Sequence, residues 1–200
     1  LNQDVNGFVA DEEADELTVT TASGDEYRAP LVILAIGVTP DTRLAEEAGL
    51  ELGIKKSIVT DEHMRTSDPA IFAVGDAVQV KNFVTGDDAL ISLAGPANKQ
   101  GRIAADVICG RDSSFEGSQG SSVLKLFDMT IAATGLTESA AQRAGIACDK
   151  AVTSSPSHAT YYPGASNMTV KTVFEPESGR ILGAQIAGFE GVDKRIDVLA

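Results

Sequence analysis

An aspartate set directly behind a glycine at the end of an apolar run can present a carboxylate to a ligand, and Ile71-Phe72-Ala73-Val74-Gly75-Asp76 has that form. In open α/β sheets ligands lie at the carboxyl ends of strands, where a carboxylate can accept hydrogen bonds from a sugar or ribityl hydroxyl. Gly-Asp is also a common turn signal, and on the dipeptide alone a turn cap is the simpler reading of Asp76. A second group is His158, Tyr161 and Tyr162, just ahead of Pro163-Gly164. A tyrosine hydroxyl can donate a proton in catalysis. A tyrosine pair can equally wedge a loop onto a sheet, with the rings packed and the hydroxyls wet. Cys109 and Cys148, the only two cysteines, are far apart and form no Cys-x-x-Cys, so they indicate neither a metal site nor a disulfide framework. Both read as small buried side chains rather than nucleophiles, and His63 reads as exposed.

Several elements must position these groups. Residues 1 to about 36 read as strands joined by turns: Leu17, Val19 and Thr21 alternate with Thr18 and Thr20, and Ser23-Gly24-Asp25-Glu26 supplies a turn. The unbroken apolar run Leu31–Ile36 reads as a strand covered on both faces. Asp41 is the expected N-cap of a short helix over Thr42 to Ala48, closed by Gly49. A buried strand is expected at Ile71–Val74, and Pro96 suits the first residue of a helix running to about Cys109. Asp112–Ser122, rich in Gly and Ser, reads as a linker. Beyond it come a strand at Val123–Phe127, a helix capped by Thr137 and ended by Gly145, and strands at Met168–Phe174 and Arg180–Ala187. The last two are joined by a turn at Glu175–Gly179, and a final helix begins near Gly191.

Composition bounds the partners. The balance of 16 Lys and Arg against 29 Asp and Glu, a net charge of -13, repels phosphate backbones, so neither nucleic acid nor a membrane is an expected partner. No apolar run reaches the roughly 18 residues needed to span a bilayer, and the opening residues lack signal-peptide character. A reducing, cytoplasmic setting is the expectation.

Three ordered segments, Ala35-Ile36-Gly37-Val38-Thr39-Pro40, Thr66 to Asp76 and Leu93 to Arg102, resemble the pyridine-nucleotide-disulfide oxidoreductase superfamily. Ser157-His158-Ala159-Thr160-Tyr161-Tyr162-Pro163-Gly164-Ala165 looks like its coenzyme A-disulfide reductase and NADH oxidase branch in particular. The resemblance implies an α/β fold, the second half of an FAD/NAD-binding Rossmann-like domain, followed by an α+β dimerisation domain. It implies that Gly75 and Asp76 meet the FAD ribityl chain, and that Ala94, Pro96 and Ala97 set a helix N-terminus against the flavin's pyrimidine edge. Unpaired N–H groups and the positive end of a helix dipole favour negative charge there. Asn98 and Gln100 are polar neighbours that can face the site or solvent. By the same resemblance, Tyr161 or Tyr162 reaches across a homodimer to a small disulfide or thiol substrate, with His158 as a weaker substrate contact.

The implied organisation is residues 1–37 ending an NAD(P)H-binding domain, 38–111 continuing an FAD domain, 112–122 linking, and 123–200 forming most of a dimerisation domain. No Gly-x-Gly-x-x-Gly occurs in the 200 residues, so the expectation is a piece of an FAD-dependent NAD(P)H oxidoreductase that carries half an FAD site and is inactive alone. Its substrate would be a small disulfide or persulfide such as coenzyme A disulfide, or oxygen or peroxide. The alternatives are a non-catalytic dimerisation module and a flavin-binding protein without disulfide chemistry.

Overall fold

Apolar residues alternating with threonines give the first sheet its central strand. In the computed structural model, which describes residues 3–200, β1 (Val5–Asp11), β2 (Glu16–Thr21) and β3 (Glu26–Ala29) form an antiparallel sheet in that order. The turn between β2 and β3 closes as expected, with the Gly24 N–H donating to the Thr21 carbonyl at 3.0 Å. This sheet belongs to the first of two compact units, which divide between Thr39 and Pro40.

Leu31–Ile36 departs from expectation. It joins no ladder, and all its side chains except the half-buried Val32 are exposed, with Ile33 79% and Ile36 85% exposed. A strand covered on both faces needs neighbouring strands and a helix on each side. None of these reaches the run among the described residues.

In the second unit, α1 (Arg43–Glu47) begins one residue later than expected. Thr42 holds the cap position but directs its hydroxyl to the Lys56 carbonyl at 2.7 Å, while Asp41 accepts a long bond from the Arg43 N–H at 3.3 Å. The expected strand at Ile71–Val74 is reduced to an isolated antiparallel bridge of Arg65 with Phe72, and Ile58 makes an isolated parallel bridge with Val78. A two-residue pair, β4 (Val80–Lys81) with β5 (Asp88–Ala89), precedes α2 (Ala94–Ile108).

The remainder is an antiparallel sheet in the order β6-β7-β10-β9-β8, built from β6 (Ser122–Leu126), β7 (Met129–Gly135), β8 (Asp149–Pro156), β9 (Asn167–Phe174) and β10 (Ile181–Gly188). Between β7 and β8, α3 (Glu138–Arg143) carries its expected cap, the Thr137 side chain accepting from the Ala140 N–H at 3.1 Å. The last helix, α4 (Val192–Leu199), packs on β7 and β10. Ala132, Met168, Ala184, Ile186, Val192 and Ile196 form the core there, and each of its larger side chains contributes about 1.5–3 kcal/mol by leaving water. At Gly183 in β10 any side chain would run into the backbone of Leu136, so the strand crossing requires glycine.

The Gly/Ser-rich segment from Asp112 to Ser122 is held in place along its length. Phe115 donates its N–H to Glu62, Ser118 to Lys81, and the Phe83 N–H returns to Ser118, all at 2.8–3.0 Å. The Ser121 hydroxyl meets Thr134 Oγ1 at 2.7 Å. His63, expected to be exposed, is half-buried, because its Nδ1 lies 2.8 Å from the Ser113 carbonyl of this segment.

Candidate functional site

Gly75 ends the apolar run with φ of +89°, a left-handed conformation that glycine adopts without steric cost. The kink turns the chain at once, and the Val78 N–H donates back to the Gly75 carbonyl at 3.2 Å. Gly75's own N–H donates to Gln100 Oε1 at 2.7 Å. Gln100 is 1% exposed, so α2 holds the turn through a buried amide. A second tie lies at the other end of the turn, where Ser92 Oγ donates to the Asp76 carbonyl at 3.5 Å, one residue before the cap of α2. Asp76 is exposed, and its carboxylate accepts no hydrogen bond among the described residues.

The start of α2 has no side-chain cap and no acidic residue in its first turn. Leu93 is the cap residue, leaving the N–H groups of Ala94 and Gly95 without intrahelical partners. Pro96 falls third in the helix rather than first. That placement loses no hydrogen bond, because the third N–H would also lack a partner. Ala94 is exposed, while Pro96 and Ala97 are half-buried. Asn98 is exposed and Gln100 faces inward, so of these two polar neighbours only Gln100 is built into the turn. Its signal in the sequence is an amide four residues before the buried Ala104, on the face where an apolar side chain is the usual occupant.

One flank of α2 forms a cleft of about 780 Å³ against the pinned Ser113–Ser121 segment, lined by Gly95, Lys99, Arg102 and Asp106 among others. Lys99 and Arg102 are spaced to share one face of α2 there. Asp106 and Glu116 also line the cleft, balancing the two cations.

His158, Tyr161 and Tyr162 sit together on the loop between β8 and β9. The tyrosine rings pair with centroids 4.8 Å apart and planes at 40°. They are 83% and 60% exposed, so they do not wedge the loop onto the sheet. His158 is also exposed, its Nδ1 3.1 Å from Ser157 Oγ and its Nε2 3.4 Å from the Pro163 carbonyl. No hydrogen bond among the described residues joins this loop to the Gly75-Asp76 turn.

The cysteines differ from expectation. Cys109 is exposed because it caps the open C-terminal end of α2, and Cys148 is half-buried. No group of three or more metal-ligating side chains occurs among the described residues. No helix there is long and apolar enough to cross a membrane.

Similarity to known proteins covers nearly the whole chain. Residues 1–101 match the pyridine nucleotide-disulphide oxidoreductase family, and residues 121–200 match its dimerisation domain. The NAD(P)H sulfur oxidoreductase (CoA-dependent) of Pyrococcus abyssi is 37% identical over 189 residues, 94% of this chain and 42% of that protein. The NADH oxidase of Methanocaldococcus jannaschii is 36% identical over 200 residues, 100% of this chain and 44% of that protein. A solved NAD-dependent persulfide reductase from A. fulgidus superposes with a TM-score of 0.91 at 38% identity, covering 98% of this chain and 36% of that one. The chain thus spans less than half the length of each of these relatives. With both matches in chain order, it belongs to the pyridine nucleotide-disulphide oxidoreductase family, as an α/β portion followed by the dimerisation domain.

Proposed function

We propose that this chain provides the flavin-facing part of the FAD domain and the dimerisation domain of an FAD-dependent NAD(P)H oxidoreductase, divided at about residues 37, 111 and 122. The observation that carries the reading is the tie through Gln100 and Ser92, which brings a free carboxylate and the free N–H groups of α2 to one turn. Asp76 would accept hydrogen bonds from the ribityl hydroxyls of FAD. The N–H groups of Ala94 and Gly95 would suit an electron-rich ring edge.

Gly95 is consistent with such a ligand: its φ is not left-handed, and a Cβ there would meet nothing within 4 Å. Neither the backbone nor the protein's own packing requires glycine at that position, whereas a flat ring laid against the helix end would. Pro96 and Ala97 keep the surface low beside it. Bound FAD supplies hydride transfer between a nicotinamide and a small acceptor. The chain's own residues bind and orient it, and Tyr161 and Tyr162 would move a proton at the substrate thiol.

The names sulfur oxidoreductase (CoA-dependent) and persulfide reductase favour a sulfur acceptor, for which we take a persulfide or a small disulfide such as coenzyme A disulfide, and the name NADH oxidase supports oxygen as the competing one. We infer a homodimer from the sheet. Leu124 pairs with Ile131 and Leu126 with Met129 on the face opposite Ala132, and all four are exposed. A contiguous apolar face of that kind marks an interaction surface.

The test uses the protein expressed from its complete reading frame. Anaerobic NAD(P)H should bleach a flavin band, and coenzyme A disulfide should restore it. Restoration by oxygen alone would assign the oxidase activity instead, and absence of a flavin band would refute the reading.

A further inference from the structure

Ser157 makes more hydrogen bonds than its size suggests. It lies at the base of the tyrosine loop and is 7% exposed. Its N–H donates to the Ser166 carbonyl at 2.8 Å, and its carbonyl accepts from Arg195 Nη2 on α4 at 3.0 Å. Its hydroxyl oxygen accepts from the Ser166 N–H at 3.3 Å and lies 3.1 Å from His158 Nδ1. The loop's two ends are therefore closed on one serine, which α4 braces from behind.

This arrangement selects between the histidine's two neutral tautomers. With one lone pair facing the Ser166 N–H, the Ser157 hydroxyl has His158 Nδ1 as its acceptor. Nδ1 is then bare, and Nε2 carries the hydrogen and donates to the Pro163 carbonyl. The other tautomer fails twice: it strands the hydroxyl hydrogen and sets a ring lone pair against the Pro163 oxygen. His158 thus spans the loop from its base to the residue after Tyr162, and the Tyr162 N–H closes the inner turn onto Ala159 at 3.0 Å.

We propose that His158 is a positioning residue that holds the Tyr161–Tyr162 pair through the Ser157 hydroxyl and the Pro163 carbonyl, rather than a substrate contact. The functional consequence rests on the reading above, in which the tyrosines serve the thiol chemistry. Glutamine can replace the histidine in this role, since its amide offers one acceptor and one donor. Alanine cannot.

Selective 15N-histidine labelling of the full 200-residue chain tests the tautomer, with the His158 signal identified by its loss in His158→Gln. In the neutral ring, the Nε2-protonated tautomer is expected. An Nδ1-protonated or averaged signal overturns the proposal. Fluorotyrosine NMR reads the ring pair, whose two signals should converge to a solvent-averaged position in His158→Ala and return in His158→Gln. Unchanged signals in His158→Ala also overturn it. In the protein from the complete reading frame, turnover should fall about tenfold in His158→Ala, the scale of one lost hydrogen bond, and His158→Gln should recover most of that loss. If Tyr161→Phe and Tyr162→Phe leave turnover intact while the ring signals still depend on His158, the role assigned to the tyrosines fails and the positioning stands.

Discussion

The tyrosine pair and Asp76 are the candidates that stand out most in the sequence, because each sits beside a punctuating glycine or proline. Structure sharpened them unequally. Asp76 gained a reason for its placement from Gln100 and Ser92, which come from a helix and from the residues leading into it, 16 to 25 positions away in sequence. Such long-range ties leave no local pattern, so Gln100 read only as a helix amide with two possible directions. The bracing role of Ser157 has no local signal for the same reason, as its partners Ser166 and Arg195 lie on β9's approach and on α4. Removing the hydroxyl of a proton-donating tyrosine should lower turnover by about 10²-fold or more, the usual range for an acid–base group. Comparing Tyr161→Phe with Tyr162→Phe in steady-state assays identifies the donor. Equal, unchanged rates in both would deny either one that role.

Elements with strong local signals formed as expected. The β9–β10 turn has Gly179 at φ of +73°, and α3 begins at its threonine cap. Edge strand β8 was missed because it is solvent-exposed throughout and so needs no apolar alternation. Leu31–Ile36 departs in the opposite sense, since its pattern specifies burial that the described residues do not supply.

Glu138 on α3 joins this helix to the sheet through Lys150 on β8 and Lys171 on β9, both at 2.7 Å. Hydrogen bonds from Lys150, then from Lys171, hold its carboxyl below its ordinary value. A depressed acid stabilises the fold above its unfolded-state pKa and loses that contribution as pH falls through the folded value. The stability difference between wild type and Glu138→Gln should therefore shrink as pH drops below the ordinary carboxylate range. Lys150 is shifted upward, chiefly by its hydrogen bond to Glu138, so its contribution disappears only as pH rises through that elevated value. Urea unfolding across pH checks both limbs, and a difference that persists into acid would contradict the ion-pair assignment. Gly183→Ala should cost on the order of 1–3 kcal/mol by overpacking against Leu136, measured in the same experiment.

At the scale of the whole molecule, the antiparallel sheet is self-sufficient on its α4 face and open on the other. Ile131→Asp or Leu124→Asp should leave the sheet folded, because both positions are exposed, while converting a dimer to monomers in sedimentation experiments. Persistence of the dimer in both variants would place the interface elsewhere. The α/β portion of the chain, proposed to face the flavin, is the complement of this picture. Its Gly75-Asp76 turn and the start of α2 are tied together, whereas the strands around them are represented by isolated bridges. FAD affinity measured by fluorescence titration, for the protein from its complete reading frame and for its Asp76→Ala variant, bears most directly on the assigned role. A charge-assisted hydrogen bond of about 1.5–3 kcal/mol corresponds to a loss of roughly 10- to 150-fold in the variant. Equal affinities in the two proteins would show that the Gly75-Asp76 turn does not hold the cofactor.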